Sequence, residues 1–185
     1  MPQPKSIVLI SLNDYLALGV RNISAYLQQN GFGTKVIFFK NMISNPRLSV
    51  EALEEELLLD LVRQEAPAMV GISVCTPYLK TATQVTRRIQ RELDIPVVWG
   101  GVHPTIMPEQ SIAIADIICI GEGEQPMFQL MQNEAGEGIA GIWRRQNGKI
   151  LKNSELLPIQ DLNALPYSDY SNAGKYFIEA NQVYA

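Results

Sequence analysis

Four short stretches of this chain carry residue types that can do chemistry. They are N-D-Y-L-A-L-G at Asn13–Gly19, S-V-C at Ser73–Cys75, W-G-G-V-H-P-T at Trp99–Thr105 and G-E-G-E at Gly121–Glu124. Asp14, Ser73, Glu122 and Glu124 offer hydrogen-bonding oxygens. Gly19, Gly100, Gly101, Gly121 and Gly123 let a backbone pass close to a ligand. His103 is the one histidine, hence the one imidazole available to a metal. The first stretch is unusual as a binding loop. Its middle holds Tyr15, Leu16 and Leu18, which neither cradle phosphate nor ligate a metal.

These stretches fall between elements that alternate in type. Lys5–Leu12 is an apolar, β-branched run, followed by helical spacing over Gly19–Asn30 that stops at Gly31. Strands are expected at Thr34–Phe39, Ala68–Cys75, Ile95–Trp99 and Asp116–Ile120. Helices are expected at Val50–Gln64, at Pro77–Leu93 and shortly after Pro126. The strands are continuous apolar runs, which implies burial on both faces. The expected fold is therefore α/β: a doubly wound, flavodoxin-like or Rossmann-like parallel sheet of about five strands with flanking helices. Ligands of such sheets bind at the carboxyl ends of the strands. The functional loops are then Asn13–Gly19, Ser73–Pro77, Gly100–Pro108 and Gly121–Gln125. Residues 1–135 form this domain. A β-hairpin turning at Asn147-Gly148 occupies 136–155 as an appendage, and the proline-bearing segment 156–185 is a linker.

Several common occupants of this architecture are excluded. No glycine cluster follows the first strand, as a pyrophosphate site requires, and G-E-G-E lacks the third glycine. There is no P-loop, no Ser/Thr-rich phosphate loop after the first strand, and no Asp at the end of the third. Cys75 and Cys119 make neither a metal motif nor a disulfide framework, and are expected as reduced thiols. The chain has 185 residues, 46% of them apolar and 18% charged, with net charge -4. The acidity argues against nucleic acid as a partner. No apolar run is long enough for a membrane span and no signal peptide is visible, so the expected location is cytoplasmic.

The pattern resembles cobalamin-binding domains, which carry D-x-H-x-x-G after the first strand, S-x-L after the third and G-G after the fourth. Here D-Y-L-A-L-G has Leu16 in place of the His, S-V-C has Cys75 in place of the Leu, and W-G-G matches. More narrowly, G-G-V-H-P-T, G-E-G-E and D-L-N-A-L-P resemble the N-terminal domain of cobalamin-dependent radical S-adenosylmethionine (SAM) enzymes. The resemblance implies cobalamin as ligand, held by Asp14, Tyr15, Leu16, Gly19, Ser73, Val74, Cys75, Gly100, Gly101, His103, Gly121, Glu122 and Gly123. It implies that the nucleotide tail runs between sheet and helices, with Gly100 and Gly101 leaving room and Ser73 hydrogen-bonding it. Either glycine changed to leucine is expected to block the tail and spare the fold.

The resemblance further implies a radical SAM domain in cis. SAM and a [4Fe-4S] cluster would then serve the full-length protein in methyl transfer, radical rearrangement or cyclisation. The family's C-x-x-x-C-x-x-C cluster motif is absent, so the chain looks like an excised domain or a stand-alone relative. It is not expected to be catalytic alone.

Some roles stay open at this level. With Leu16 unable to ligate cobalt, cobalamin is expected base-off and without a histidine ligand. His103 either swings beneath the ring or, the preferred reading, stabilises its loop. Glu122 and Glu124 either bond corrin amides or favour the start of the helix at Pro126. Asp14 either shapes the loop or caps the following helix. Tyr15, Leu16 and Leu18 are expected as an apolar floor under the corrin, and Gly19 as a close-packing position at the helix start. The alternative function is a doubly wound interaction or regulatory domain that has lost its cofactor.

Overall fold

A computed structural model describes residues 5–40 and 52–185. Its strands are β1 (Ser6–Leu12), β2 (Gly33–Phe39), β3 (Met69–Ser73), β4 (Val97–Gly100), β5 (Ile117–Cys119), β6 (Ile142–Gln146), β7 (Lys149–Lys152), β8 (Lys175–Glu179) and β9 (Gln182–Tyr184). Its helices are α1 (Leu18–Gln29), α2 (Ala52–Glu65), α3 (Leu79–Glu92), α4 (Val102–Ile106), α5 (Pro108–Ile112) and α6 (Glu124–Gln132). The expected start of the second helix, Val50 and Glu51, lies outside the described residues.

Successive side chains on a strand point to opposite faces, and β1 shows what that means here. Val8, Ile10 and Leu12 join a core with Leu58 and Val62 of α2 and Val85 and Ile89 of α3. Ile7 and Leu9 join a second core with Val20 and Leu27 of α1 and Met127 and Leu130 of α6. Helices therefore cover both faces, and unbroken apolar strands are the required sequence for that arrangement.

The sheet runs β7-β6-β5-β4-β3-β1-β2-β8-β9. β1 to β5 are parallel to one another, and the chain leaves β1 for β2 on one side before crossing to β3 on the other. The topological switch point thus lies between β1 and β3.

Among the described residues the sheet has nine strands rather than about five. The 142–152 hairpin extends the sheet through antiparallel pairing of β5 with β6. Within the segment 156–185, β8 pairs parallel to β2 at the opposite edge and carries β9. The irregular stretch between β7 and β8 connects the two edges and contains a short 3-10 turn at Leu162–Ala164. Among the described residues, no helix is long and apolar enough to cross a membrane.

Candidate cobalamin site

A cavity of roughly 240 Å³ opens between the sheet and the α1/α6 layer. Its floor comes from Leu9 of β1, Gly71 and Ser73 of β3, Val98 and Gly100 of β4 and Cys119 of β5. One wall is Gly19, Val20 and Ile23 of α1, and the other is Gly121 to Glu124 and Met127. Its position beside the switch point follows from the strand order. Its volume falls below the ~300–1,000 Å³ of a pocket that swallows a whole drug-sized ligand.

The slot is open because two positions lack side chains. A Cβ at Gly100 or at Gly19 would meet no atom within 4 Å. Gly19 therefore does not serve close helix packing, as its place at the helix start suggested. It leaves cavity space. Gly101 differs from both. Its φ of +96° is in the region that favours glycine, and a Cβ there would stand 3.1 Å from the backbone N and O of Val74. Gly101→Leu would strain the backbone itself, so the expectation that either glycine can be enlarged without harm to the fold holds only for Gly100. Gly123 is a packing glycine: a Cβ would come within 2.5 Å of Ile23 Cδ1.

The rim is knitted by backbone and one hydroxyl. Val74 N–H donates to Gly100 O (2.8 Å), and His103 N–H donates to Val74 O (3.0 Å). Thr105 Oγ1 donates to Gly101 O (2.9 Å) and accepts from Gly121 N–H (3.1 Å). Thr105 thus ties the Gly-Gly loop to the G-E-G-E loop, a role the sequence reading missed although it lies in H-P-T. Glu122 accepts from Ile159 N–H (2.7 Å), holding the long connection against the mouth.

Other expected site residues are placed elsewhere. His103 is 1% exposed, inside the fold, with Nδ1 3.1 Å from Thr76 Oγ1. It neither lines the slot nor faces outward, and its buried Nε2 has no hydrogen-bond partner. Val74 is wholly buried and acts through its backbone, while Cys75 is exposed on the loop after β3. Burial, then the charge of Asp14, raises the Cys75 thiol above its ordinary range. Burial and the nearby Glu124 carboxylate push Cys119 up to about 12. Both sulfurs stay protonated at neutral pH, whereas the thiolate is the form that ligates metals. Among the described residues, no group of three His, Cys, Asp or Glu is arranged to hold a metal ion.

The Asn13–Gly19 loop is built from inside. Ser11 Oγ donates to Asp14 O (2.7 Å), and Asp14 Oδ1 accepts from Leu16 N–H (2.8 Å). Asp14 shapes an Asx turn within the loop and does not cap α1, whose N-cap is Ala17 without a side-chain bond. Leu16 (70% exposed) and Leu18 (57%) face outward at the carboxyl edge of the sheet. Tyr15 turns the other way. Its ring packs edge-on against Phe38 and Phe177, and its hydroxyl donates to Glu179 (3.1 Å). Of the three residues expected as an apolar floor, Leu16 and Leu18 are exposed at this edge and Tyr15 is not available to it.

Tyr15 gives the loop a readable pH signature. Burial, reinforced by the Glu179 charge and hydrogen bond, pushes its phenol up to about 12. The folded pKa is above the ordinary value near 10. The stabilisation is therefore complete below pH 10 and lost as pH climbs through 12. Ultraviolet titration of wild type against Tyr15→Phe should show one tyrosine that ionises only near pH 12. A difference spectrum that titrates near 10 would contradict this placement.

Arg21 was not singled out from the sequence, where it reads as an ordinary helix residue. It is 6% exposed, and its guanidinium lies over Phe38 (4.5 Å) and Tyr170 (4.8 Å). Nη2 donates to Tyr15 O (2.7 Å), Nε to Leu16 O (3.2 Å) and Nη1 to Asp169 O (3.0 Å). Asp169 is in turn paired with the buried Lys175 of β8. One cation thereby joins the Asn13–Gly19 loop to the C-terminal segment.

The slot thus lies at the switch point of a parallel sheet, between sheet and helices, and is cleared by Gly19 and Gly100. The chain belongs to the B12 binding domain family, whose match covers residues 4–130. It is similar to a protein of Pyrococcus horikoshii named "Uncharacterized methyltransferase PH0819", with 26% identity over 69% of this chain and 32% of that protein. In structure it is similar to the cobalamin-dependent S-adenosylmethionine radical enzyme OxsB with aqua-cobalamin bound. That match has a TM-score of 0.67 and 18% identity, and it covers 84% of this chain and 23% of the other. The chain spans about a third of the curated relative and under a quarter of the structural neighbour.

Proposed function

We propose that this chain is the cobalamin-holding module of a radical SAM enzyme, with methyl transfer the reaction class best supported. The carrying observation is the slot itself. A domain that had kept the fold and lost the ligand would have no reason to leave space open at Gly19 and Gly100, since voids forfeit packing contacts. The names of the two similar proteins support the methyl-transfer and SAM parts of the reading.

The residues present fit cobalamin. The slot lined by Gly19, Ser73 and Gly100 would hold the nucleotide tail, and the larger corrin would stay outside it, at the carboxyl edge where Leu16 and Leu18 are exposed. A tail base held in the slot would be kept from the cobalt. Leu16 would offer no ligand, and His103 lies buried inside the fold with Nδ1 beside Thr76, away from the slot lining. When bound, the cofactor supplies a cobalt centre able to carry a methyl group. This chain's part would be to hold the tail at Gly19, Ser73 and Gly100 and, with Leu16 in the loop, to offer no nitrogen ligand there. SAM and the [4Fe-4S] cluster belong, on this reading, to a radical SAM domain in cis. Such a cluster takes three cysteine thiolates, and this chain has two cysteines, Cys119 wholly buried.

Hydroxocobalamin mixed with the protein and then desalted should stay bound near one equivalent. A colourless protein fraction would sink the reading and favour an interaction or regulatory domain.

A further inference from the structure

Glu124 is a carboxylate with nothing to bind. It lines the slot, is 8% exposed, and makes no hydrogen bond or ion pair among the described residues. It is the first residue of α6, whose positive end favours a carboxylate. Partial shielding of a carboxylate from water carries a cost that this helix-end effect only partly offsets. A glutamate kept only for the helix end would therefore point into solvent. The slot is lined mostly by apolar side chains such as Leu9, Val20, Ile23, Val98 and Met127; of its other polar side chains, Glu122 is already bonded to Ile159 N–H and Ser73 is a hydroxyl. An unpartnered acceptor in such surroundings selects for a donor.

We infer that Glu124 is a specificity-determining residue that accepts a hydrogen bond from a hydroxyl or amine on the nucleotide tail of the ligand. This rests on the cobalamin reading above. A carboxylate only accepts, and it repels phosphate. The tail phosphate must then sit away from Glu124, at the mouth. Two sources supply a donor. Every ribose-bearing tail has sugar hydroxyls, whereas an exocyclic amine is present on an adenine base and absent from dimethylbenzimidazole.

Binding titrations separate these. Wild type, Glu124→Gln and Glu124→Ala are each titrated with cobalamin, with the adenine-bearing cobamide and with cobinamide, which lacks the nucleotide. Melting temperatures serve as the check on folding. A ribose contact predicts that Glu124→Ala weakens cobalamin and the adenine cobamide alike, by roughly 10- to 100-fold, with cobinamide unchanged. A base contact predicts loss confined to the adenine cobamide. Either pattern supports the assignment, and the near-isosteric Glu124→Gln should follow in the same direction. Unchanged affinity for all three ligands, or equal loss for cobinamide, overturns it. Failure of the wild type to bind cobalamin at all would instead overturn the reading on which the assignment depends.

Discussion

Gly100→Leu is expected to lower cobalamin affinity by ~100-fold or more, about 2.7 kcal/mol, while leaving the melting temperature close to that of the wild type. A Cβ at Gly100 would meet nothing within 4 Å and would face the slot. The added isobutyl group therefore has room in the free protein, and that room is the tail's. Cobinamide, without the tail, should bind the variant and the wild type alike. Gly101→Leu is the contrasting variant. With φ at +96° and Val74 backbone atoms 3.1 Å from its Cβ, it should lose stability before binding is considered. A folded Gly100→Leu protein that retains cobalamin at wild-type affinity would place the tail outside this slot.

The second large effect is on stability. Arg21→Ala removes charge-assisted hydrogen bonds to the carbonyls of Tyr15, Leu16 and Asp169, together with stacking on Phe38 and Tyr170. Hydrogen bonds to charged groups contribute about 1.5–3 kcal/mol each. These three share one side chain, and part of the loss is recovered by water, so a net cost of about 3 kcal/mol is expected. For a chain of this length that lowers the melting temperature by roughly 6–12 °C. Arg21→Lys should recover less than half, because one ammonium cannot serve three carbonyls and lie flat between two rings. Thermal melts followed by circular dichroism measure both. A shift below ~2 °C for Arg21→Ala would mean that the Asn13–Gly19 loop and the C-terminal segment hold their places independently.

The parts legible in the sequence were those set by local pattern. Apolar runs such as I-V-L-I and M-V-G-I announced strands buried on both faces, and Gly100-Gly101 marked the carboxyl edge where the slot opens. The parts not legible depend on partners distant in the chain. β8 is a five-residue strand after an irregular stretch, and it is stabilised by pairing with β2 more than by its own pattern. Without β8 in view, nothing could indicate that Tyr15 reaches Glu179, 164 residues away, instead of the loop surface. Arg21 was hidden for the same reason, since two of its partners are Asp169 and Tyr170. Gly19, Gly100, Gly101 and Gly123 are one residue type in the sequence and three physical roles in the fold: open space, backbone conformation and helix packing. The solitary His103 drew attention as a possible ligand, yet burial against Thr76 is what its surroundings dictate.

This chain is proposed to hold cobalamin with its tail in the slot and no nitrogen on the cobalt. Electron paramagnetic resonance of the loaded protein, reduced to cobalt(II), tests it most directly, because an axial nitrogen splits each cobalt line into a triplet. The account predicts a protein-bound cobalt(II) spectrum with no nitrogen splitting. Triplets that persist in His103→Ala would show the tail base on the metal and the slot empty of it. Triplets that vanish in that variant would show His103 leaving its place beside Thr76 to ligate the cobalt. Either result would contradict the account.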